Sequence, residues 1–382
     1  MKQAIMIGAG NIGRGFIGAI LSRSGYHVTF ADVNMTLIDA INAEGRYTVH
    51  IQDRDPAAFT ITNIDGISSA GPELAEALKT AELVTTAVGL RILPIVAKPI
   101  AAGIAARKAA GNAAPLNIVA CENAVRATSQ LKRAVYDLLD EETKAFADEN
   151  VGFADCAVDR IVPKMDFADP LDVAVEEFSE WDVERSGWRG ELPQIDGMSV
   201  VDDLSAYIER KLFTLNSGHA ICAYLGCLRG HQTILDSVND PIIGPIVYKA
   251  MQQSGAGLVK KFSMDAEKHQ AYIDRIFARF HNPYLQDEVA RVGREPIRKL
   301  AASDRLINPL LTAYNFGMKV DQLIFGAAAA LRYDNAEDPQ SVELQKTIAE
   351  QGAAAALEQY SGLAADHPLS TRILDVYRAL AV

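Results

Sequence analysis

Short apolar runs alternate with helical patterns along the first third of the chain. The runs at residues 3–7 and 26–31 predict buried strands, and the periodicity at residues 12–24 and 34–44 predicts the helices that follow them. Strands that alternate with helices favour a parallel sheet with helices on both faces. We therefore predict an α/β fold that begins with a Rossmann-type, doubly wound sheet domain. Two further strands of this sheet are predicted at residues 83–87 and 117–120.

The alternation of strands and helices is interrupted at two places. Residues 47–51 and 58–62 have the pattern of an extended pair. Residues 171–181 predict one strand that helps to close the first domain. Three glycines and a proline in residues 186–200 then predict a connection.

The second half of the chain has apolar positions at helical spacing and few strand signals. We therefore predict a sheet domain over residues 1–195 and a mostly α-helical domain over residues 196–382. The helices of the second domain are predicted at residues 202–228, 240–263, 266–279, 304–316, 319–332, 339–358 and 370–380.

Composition and charge narrow the classes of function. Lys and Arg number 37 against 49 Asp and Glu, a net charge of −12, and such a surface repels nucleic acid and anionic lipid. The N-terminal apolar run is too short for a signal peptide, and no stretch of about 18 apolar residues predicts a membrane span. The four cysteines form no CxxC pair and no ligand-spaced cluster with histidine. We therefore expect a cytoplasmic protein without a disulfide framework or a metal site.

A glycine-rich turn joins the first predicted strand to the first helix. Gly8 allows a tight turn, Gly10 lets the backbone approach a pyrophosphate, and Gly13 lets the helix pack closely on the strand. The N–H groups and partial positive charge of the helix N-terminus favour phosphate binding. Asp32, at the end of the second strand, would accept hydrogen bonds from the adenosine ribose and repel a 2′-phosphate, so we expect NAD(H) rather than NADP(H).

Simpler explanations exist for these cofactor residues. The glycines alone could serve a tight strand–helix turn, and Asp32 could be an exposed turn residue. Val88 follows a strand at the carboxyl edge of the sheet, where it would pack near the nicotinamide or simply end a buried strand. The predicted cofactor-binding residues are Gly8, Ala9, Gly10, Asn11, Ile12, Gly13, Asp32 and Val88.

An amine, an amide and an imidazole occur close together in the first helix of the second half. Relative to Lys211, an α-helix would place Asn216 at about 140° and His219 at about 80°, within one face. Each residue alone has a simpler explanation: a snorkelling surface lysine, an asparagine bonded to the backbone, or a core histidine. Because a core has no need of three such groups on an otherwise apolar helix, we interpret the set as catalytic.

These three residue types suit the oxidation of a secondary alcohol. The reaction needs a base for the hydroxyl proton and an acceptor for the hydride, and it requires no metal. Burial and a nearby positive nicotinamide favour a neutral amine, which makes Lys211 a usable base. The Asn216 amide would donate to the alkoxide-like oxygen, and His219 would bond to that oxygen or to a neighbouring hydroxyl.

The chain resembles the polyol-specific long-chain dehydrogenases. Their signature is a lysine, an asparagine five residues later and a histidine three residues after that, matched here by Lys211, Asn216 and His219. This motif with its flanks is far more specific than the glycine motif, and the similar segments cover most of the chain. These segments are GAGNIGRGFIG (8–18), FADVN (30–34), VTTAVG (84–89), NIVACENAVR (117–126), VDRIVP (158–163), ERKLFTLNSGHA (209–220) and NPYLQDEVARVGREPIRKL (282–300).

The resemblance implies an NAD-dependent interconversion of D-mannitol 1-phosphate and D-fructose 6-phosphate. It implies Lys211 as the general acid/base and Asn216 as a group that stabilises the oxyanion. It also implies substrate contacts from Asn123 and Asp159, for which the alternatives are a turn asparagine and an ion pair with Arg160. Because relatives in this family are often monomeric, we expect a monomer.

The phosphate of such a substrate needs cationic partners. Arg294 and Arg298 are the candidates, because arginine offers bidentate donors to phosphate oxygens. The alternative for this run of the sequence is a solvated basic turn. Two other functions stay open: a dehydrogenase for a free polyol or a hexuronate, which would need no phosphate contacts, and an NAD(H)-binding sensor without turnover.

Overall fold

The computed structural model describes residues 1–53, 55–163, 165–285 and 287–380. The chain forms two compact units, Met1–Tyr207 and Ile208–Val382. The last strand of the first unit, Met198–Val201, pairs with an earlier strand of that unit.

The first unit contains the strands of the chain's sheets. A six-stranded parallel sheet has the order β5-β2-β1-β6-β7-β8, and two three-stranded sheets have the orders β10-β3-β4 and β12-β11-β9. The strands are β1 (Lys2–Ile7), β2 (Tyr26–Asp32), β3 (Tyr47–Ile51), β4 (Ala57–Ile61), β5 (Ile64–Ser68), β6 (Leu83–Thr86), β7 (Leu116–Ala120), β8 (Val151–Phe153), β9 (Cys156–Asp159), β10 (Val173–Val175), β11 (Glu180–Glu184) and β12 (Met198–Val201).

Helices cover both faces of the parallel sheet, which confirms the predicted fold class. Side chains of a strand alternate between the two faces, so Ala4 and Met6 of β1 join one core while Ile5 and Ile7 join the other. A π-helical segment, Gly13–Gly18, follows the glycine turn. The α-helices of this unit are α1 (Ala19–Arg23), α2 (Met35–Glu44), α3 (Glu73–Ala77), α4 (Leu93–Ala109), α5 (Ala127–Tyr136) and α6 (Glu141–Asn150), and α7 (Leu204–Lys211) crosses into the second unit.

Two predictions for the first unit are wrong. Residues 171–181 do not form one strand, because β10 and β11 belong to different sheets. The strand pattern breaks at Glu176, whose buried carboxylate accepts a hydrogen bond from the Ile161 N–H. The region 186–200 is not only a connection, since its last residues begin β12, which pairs in parallel with β11.

The second unit is helical in all of its described residues except an isolated bridge between Thr233 and Glu288 and the connecting turns. A second π-helical segment, Leu212–Asn216, separates α7 from α8. The further helices are α8 (Ser217–Leu228), α9 (Ile234–Asn239), α10 (Ile243–Phe262), α11 (Ala266–Phe280), α12 (Val289–Gly293), α13 (Pro296–Leu300), α14 (Ile307–Asn315), α15 (Asp321–Leu331), α16 (Pro339–Gln351), α17 (Ala353–Ser361) and α18 (Pro368–Ala379).

The helical prediction for the second unit needs two corrections of length. The predicted helix 202–228 is not one continuous α-helix, because the π-helical segment interrupts it. The predicted helix 339–358 is divided into α16 and α17 at Gly352, whose φ of 89° ends a helix and is readily adopted only by glycine. The short helices α12 and α13 were not predicted from the sequence.

Cys121, Cys156 and Cys222 are buried and Cys227 is half-buried, all as thiols. Within the described ranges, no group of three or more His, Cys, Asp and Glu side chains is arranged to hold a metal ion. No helix in those same ranges is long and apolar enough to cross a membrane.

Candidate active site

The glycine turn lies at the carboxyl end of β1. Gly8 has a φ of 100°, and a Cβ there would lie 2.6 Å from the Ala87 carbonyl oxygen. A Cβ at Gly13 would lie 1.9 Å from the Gly8 carbonyl oxygen, so neither position accepts a side chain. A Cβ at Gly10 would meet no atom within 4 Å, and Gly10 is exposed. The backbone is therefore tightly packed at Gly8 and Gly13, whereas the space beside Gly10 is open to a ligand.

Asp32 ends β2 and is tied to the glycine turn. Its Oδ2 accepts a hydrogen bond from the Ala9 N–H at 2.7 Å, and its Oδ1 accepts one from the Asn34 N–H at 2.9 Å. The side chain is half-buried, so lone pairs of both oxygens stay accessible to a ligand. Asp32 thus fixes the turn and presents a carboxylate beside it.

Arg14 stabilises the same turn through hydrogen bonds, and it is not among the residues predicted from the sequence. Its guanidinium is buried and donates to the carbonyl oxygens of Leu171, at 3.0 Å, and Ala9. The Tyr47 hydroxyl donates to the Arg14 carbonyl oxygen at 2.7 Å. Burial lowers the pKa of Arg14 from its ordinary value, although nearby acidic groups oppose that shift. The one available signal was a charged residue directly after the third glycine.

Glu122 fixes the loop that contains Val88. It is buried, and its Oε1 accepts hydrogen bonds from the Thr86 hydroxyl at 2.7 Å and the Val88 N–H at 3.0 Å. Its Oε2 accepts one from the Gly89 N–H at 2.8 Å. Glu122 is not among the predicted residues either, although its position directly before the predicted substrate residue Asn123 could have indicated a role in this region. Val88 is half-buried at the edge of the sheet.

The two predicted substrate residues of the first unit lie in different environments. Asn123 is exposed just after β7, and Asp159 is buried at the end of β9. The guanidinium of Arg160 donates to the carbonyl oxygens of Glu176, at 2.9 Å, and Gly15, at 3.4 Å.

The π-helical segment changes the placement of Lys211, Asn216 and His219. Residues of a π-turn advance by roughly 80° each, because each turn holds nearly one residue more than an α-turn. Relative to Lys211, this places Asn216 at about 40° and His219 at about 20° on the other side, closer than a continuous α-helix would. All three are half-buried, while the side chains of Phe213, Thr214 and Leu215 are buried. The second unit thus presents the three polar groups on one narrow face.

A serine on α10 supports this π-helical segment. The Ser254 hydroxyl is buried and donates to the Phe213 carbonyl oxygen at 2.9 Å. A π-turn disturbs the regular i→i−4 bonds, so an added donor for a carbonyl inside it is stabilising. Ser254 therefore helps to hold the register that aligns the three polar groups.

His219 is held from two sides. Its Nε2 lies 3.1 Å from Asp287 Oδ2, and its ring stacks on Phe280 with centroids 5.2 Å apart. Burial opposes the ionisation of Asp287, but the hydrogen bond from His219 and the positive charge of Arg291 outweigh it and lower the pKa of Asp287. Asp287 is not among the site residues predicted from the sequence.

Arg294 and Arg298 differ in their surroundings. Arg298 on α13 forms ion pairs with Glu295, at 2.8 Å, and Asp304, at 3.1 Å. Arg294 is exposed and forms no ion pair with any residue that the structure describes. The two guanidiniums are therefore not equivalent, and only Arg294 has its donors unshared with a carboxylate of the described chain.

Lys299 lies beneath this run of basic residues. Its side chain is buried, and its Nζ donates to the carbonyl oxygens of Val292 and Arg294. Burial, together with the positive charges of Arg305 and Arg298, lowers the pKa of Lys299 to about 7. Lys299 therefore holds the turn between α12 and α13 in place.

Family models cover nearly the whole chain. Residues 2–197 match the mannitol dehydrogenase Rossmann domain, and residues 203–380 match the mannitol dehydrogenase C-terminal domain. The chain belongs to the mannitol dehydrogenase family. It is an NAD-linked polyol oxidoreductase of that family.

Solved structures of two polyol dehydrogenases share this fold. A substrate-free D-sorbitol dehydrogenase has a TM-score of 0.81 at 15% identity, over 99% of this chain and 92% of that one. Mannitol 2-dehydrogenase from Pseudomonas fluorescens, solved with NAD and D-mannitol, has a TM-score of 0.69 at 17% identity, over 99% of this chain and 94% of that one. At such identities, the comparison supports the fold and not the substrate.

The glycine turn of this family member fits an adenine dinucleotide. Gly10 leaves open space, Asn11 and Ile12 are exposed beside it, and a helical segment begins at Gly13. The Asp32 carboxylate lies within hydrogen-bonding distance of the same turn through the Ala9 N–H. The backbone N–H groups at a helix N-terminus bind an anionic pyrophosphate, and a carboxylate in this position binds a ribose diol.

Proposed function

We propose that the chain interconverts D-mannitol 1-phosphate and D-fructose 6-phosphate, which is the activity of a mannitol-1-phosphate 5-dehydrogenase. The observation that carries the proposal is the π-helical segment Leu212–Asn216, whose geometry would bring Lys211, Asn216 and His219 onto one helix face. The exposed Arg294, which has no ion pair among the described residues, adds a cation suited to a phosphate. The protein acts as a monomer in the cytoplasm in this proposal.

The cofactor is held by the first unit. Gly8, Gly10 and Gly13 shape the turn for the pyrophosphate, with Ala9, Asn11 and Ile12 supplying its backbone. Asp32 accepts hydrogen bonds from the adenosine ribose, and Val88 packs against the nicotinamide side. When bound, NAD supplies the hydride acceptor of the oxidation and NADH the hydride donor of the reduction.

The proton is handled by the second unit. Lys211 removes the proton of the reacting hydroxyl during oxidation and returns it to the ketone oxygen during reduction. The Asn216 amide donates to that oxygen while negative charge develops on it. His219 bonds to a hydroxyl of the substrate, and Asn123 and Asp159 contact the remaining polyol oxygens.

A dehydrogenase for a free polyol is the second candidate. Two observations favour it: the solved relatives of similar fold are named for sorbitol and mannitol, and Arg298 is already engaged by Glu295 and Asp304. The same Lys211 chemistry would serve this reaction. The phosphate contact alone separates the two candidates.

The deciding experiment follows loss of NADH absorbance with the purified protein. Fructose 6-phosphate, fructose and fructuronate are offered in turn at matched concentrations. Rapid loss with fructose 6-phosphate alone supports the phosphorylated substrate, and loss with an unphosphorylated compound alone overturns it. NADH binding without turnover of any of the three would favour a sensor instead.

A further inference from the structure

His219 and Asp287 form a shielded pair in the helical unit. The Nε2–Oδ2 distance is 3.1 Å, and the two side chains are 20% and 17% exposed. Because a carboxylate only accepts hydrogen bonds, Nε2 is the protonated nitrogen of this contact. The pair therefore fixes which ring nitrogen carries the proton.

Asp287 is itself anchored by its backbone. Its carbonyl oxygen accepts a hydrogen bond from the Ile234 N–H at 2.8 Å, and the neighbouring Thr233 and Glu288 form an antiparallel bridge. Its second carboxylate oxygen is paired with Arg291, one turn along α12. The carboxylate is thus held at a fixed place before any ligand binds.

The plane of the imidazole is fixed as well. Phe280 stacks on the ring with an interplanar angle of 17°. With the plane set by Phe280 and the rotation set by Asp287, only Nδ1 is left for a ligand.

We propose that Asp287 is a positioning residue that holds His219 as the Nε2–H tautomer, so that Nδ1 accepts a hydrogen bond from a hydroxyl of the substrate. This inference rests on the proposed polyol dehydrogenase function for its ligand, but not for its geometry. In the neutral ring, Nδ1 has a lone pair and can only accept. Loss of Asp287 would free the ring to adopt the other tautomer, which cannot accept at Nδ1.

The tautomer is tested first, because that measurement does not depend on the substrate. Nitrogen-15 NMR of protein labelled at its seven histidines, assigned with His219→Gln, reports the protonated nitrogen of each neutral ring. We expect Nε2–H at His219 in the wild type and in Asp287→Asn, and loss of that preference in Asp287→Ala. An Nδ1–H tautomer in the wild type, or no change in Asp287→Ala, would overturn the proposal.

A double-mutant cycle then tests the functional consequence. Asp287→Ala should lower kcat roughly tenfold or more, because the alternative tautomer removes the acceptor at Nδ1, with the KM for NADH unchanged. In a His219→Ala background the same change should have little further effect. An equal loss in both backgrounds would show that Asp287 does not act through His219.

A second His–Asp pair in the same unit provides the matched control. His231 Nε2 lies 3.0 Å from Asp240 Oδ2, and neither residue belongs to the proposed site. His231→Ala should leave kcat unchanged. Asp287→Asn preserves the shape and one acceptor and is the conservative control. If Asp287→Ala fails to fold, the tautomer of the wild type still decides, because Nδ1–H there overturns the proposal. If no polyol is turned over, the proposed function fails while the NMR result still decides the role of Asp287.

Discussion

Lys211 is the residue on which the proposed proton transfer depends. We expect Lys211→Ala to lower kcat by about a hundredfold or more, since general acid–base catalysis typically contributes that much. NADH binding should be retained, because the predicted cofactor contacts lie in the first unit. Turnover is followed by NADH absorbance and binding by NADH fluorescence, and activity close to that of the wild type would remove Lys211 from the mechanism.

Arg294 and Arg298 are a matched pair for testing the phosphate contact. Arg298 already shares its guanidinium with Glu295 and Asp304, whereas Arg294 forms no such pair among the described residues. We expect Arg294→Ala to raise the KM for fructose 6-phosphate about tenfold or more and Arg298→Ala to raise it less. The KM for NADH serves as the internal control. An unchanged KM in both variants would place the phosphate elsewhere.

The buried Lys299 gives a pH dependence of stability. Its pKa is about 7 in the folded protein and about 10.4 in an unfolded chain. The unfolded state therefore binds more protons between these values, so stability rises with pH across that window and the full penalty of a charged Lys299 is present below about pH 7. Urea unfolding of the wild type and Lys299→Met should show the wild type gaining stability relative to the variant from pH 7 to pH 10. A constant difference would contradict the shift.

At the scale of the element, the π-helical segment Leu212–Asn216 sets the helical register of the proposed catalytic residues. We expect Ser254→Ala to cost about 1 kcal/mol of stability and to lower kcat, because the Phe213 carbonyl loses its donor and the segment can relax towards a regular helix. Kinetics and urea unfolding measure the two effects.

Ser237→Ala is the control for that change. Ser237 is also buried, and its hydroxyl donates to the Thr233 carbonyl oxygen at 2.8 Å within one helix. A similar loss of stability without a fall in kcat is expected there. Equal kinetic effects of the two serine variants would mean that the π-helical segment does not set the geometry.

The elements also differ in how far the sequence could predict them. Strands β1 and β2 were predicted because each is rich in apolar or β-branched residues and lies next to a helical pattern. The π-helical segment could not be predicted, since no residue type of Leu212–Asn216 marks a π-turn and its register depends on contacts such as Ser254 to Phe213. Helices α12 and α13 have five residues each, too few for a periodic pattern.

The sequence indicates which residue types form the candidate site, but not the residues that hold them in place. Lys211, Asn216 and His219 stand out as polar groups on an apolar helix. Asp287 lies 68 positions (287 − 219) from His219 in the sequence, and only the fold brings the two together. Charged supports such as Arg14 and Glu122 are missed for the same reason, because their roles lie in contacts with backbone atoms of other segments.

At the scale of the whole molecule, cofactor binding and proton transfer are assigned to different units. The first unit has apolar cores of its own on both faces of its sheet. We expect a fragment of residues 1–203 to fold and to bind NADH without any turnover, since it lacks Lys211. Circular dichroism and NADH fluorescence check this, and a fragment that folds but fails to bind NADH would contradict the assignment of the cofactor contacts.

The bond between Asp32 and the Ala9 N–H has a consequence for redesign of cofactor preference. In its proposed role, the Asp32 carboxylate would discriminate at the ribose, and it also accepts a hydrogen bond from the loop proposed to receive the pyrophosphate. Cofactor preference and the position of the glycine turn therefore depend on the same side chain. A substitution at position 32 that only removes the negative charge also removes the hydrogen bond that holds the turn. A variant altered to accept a 2′-phosphate must therefore also supply a new acceptor for the Ala9 N–H. A change of cofactor preference in this protein requires both the removal of the carboxylate and the replacement of this hydrogen bond.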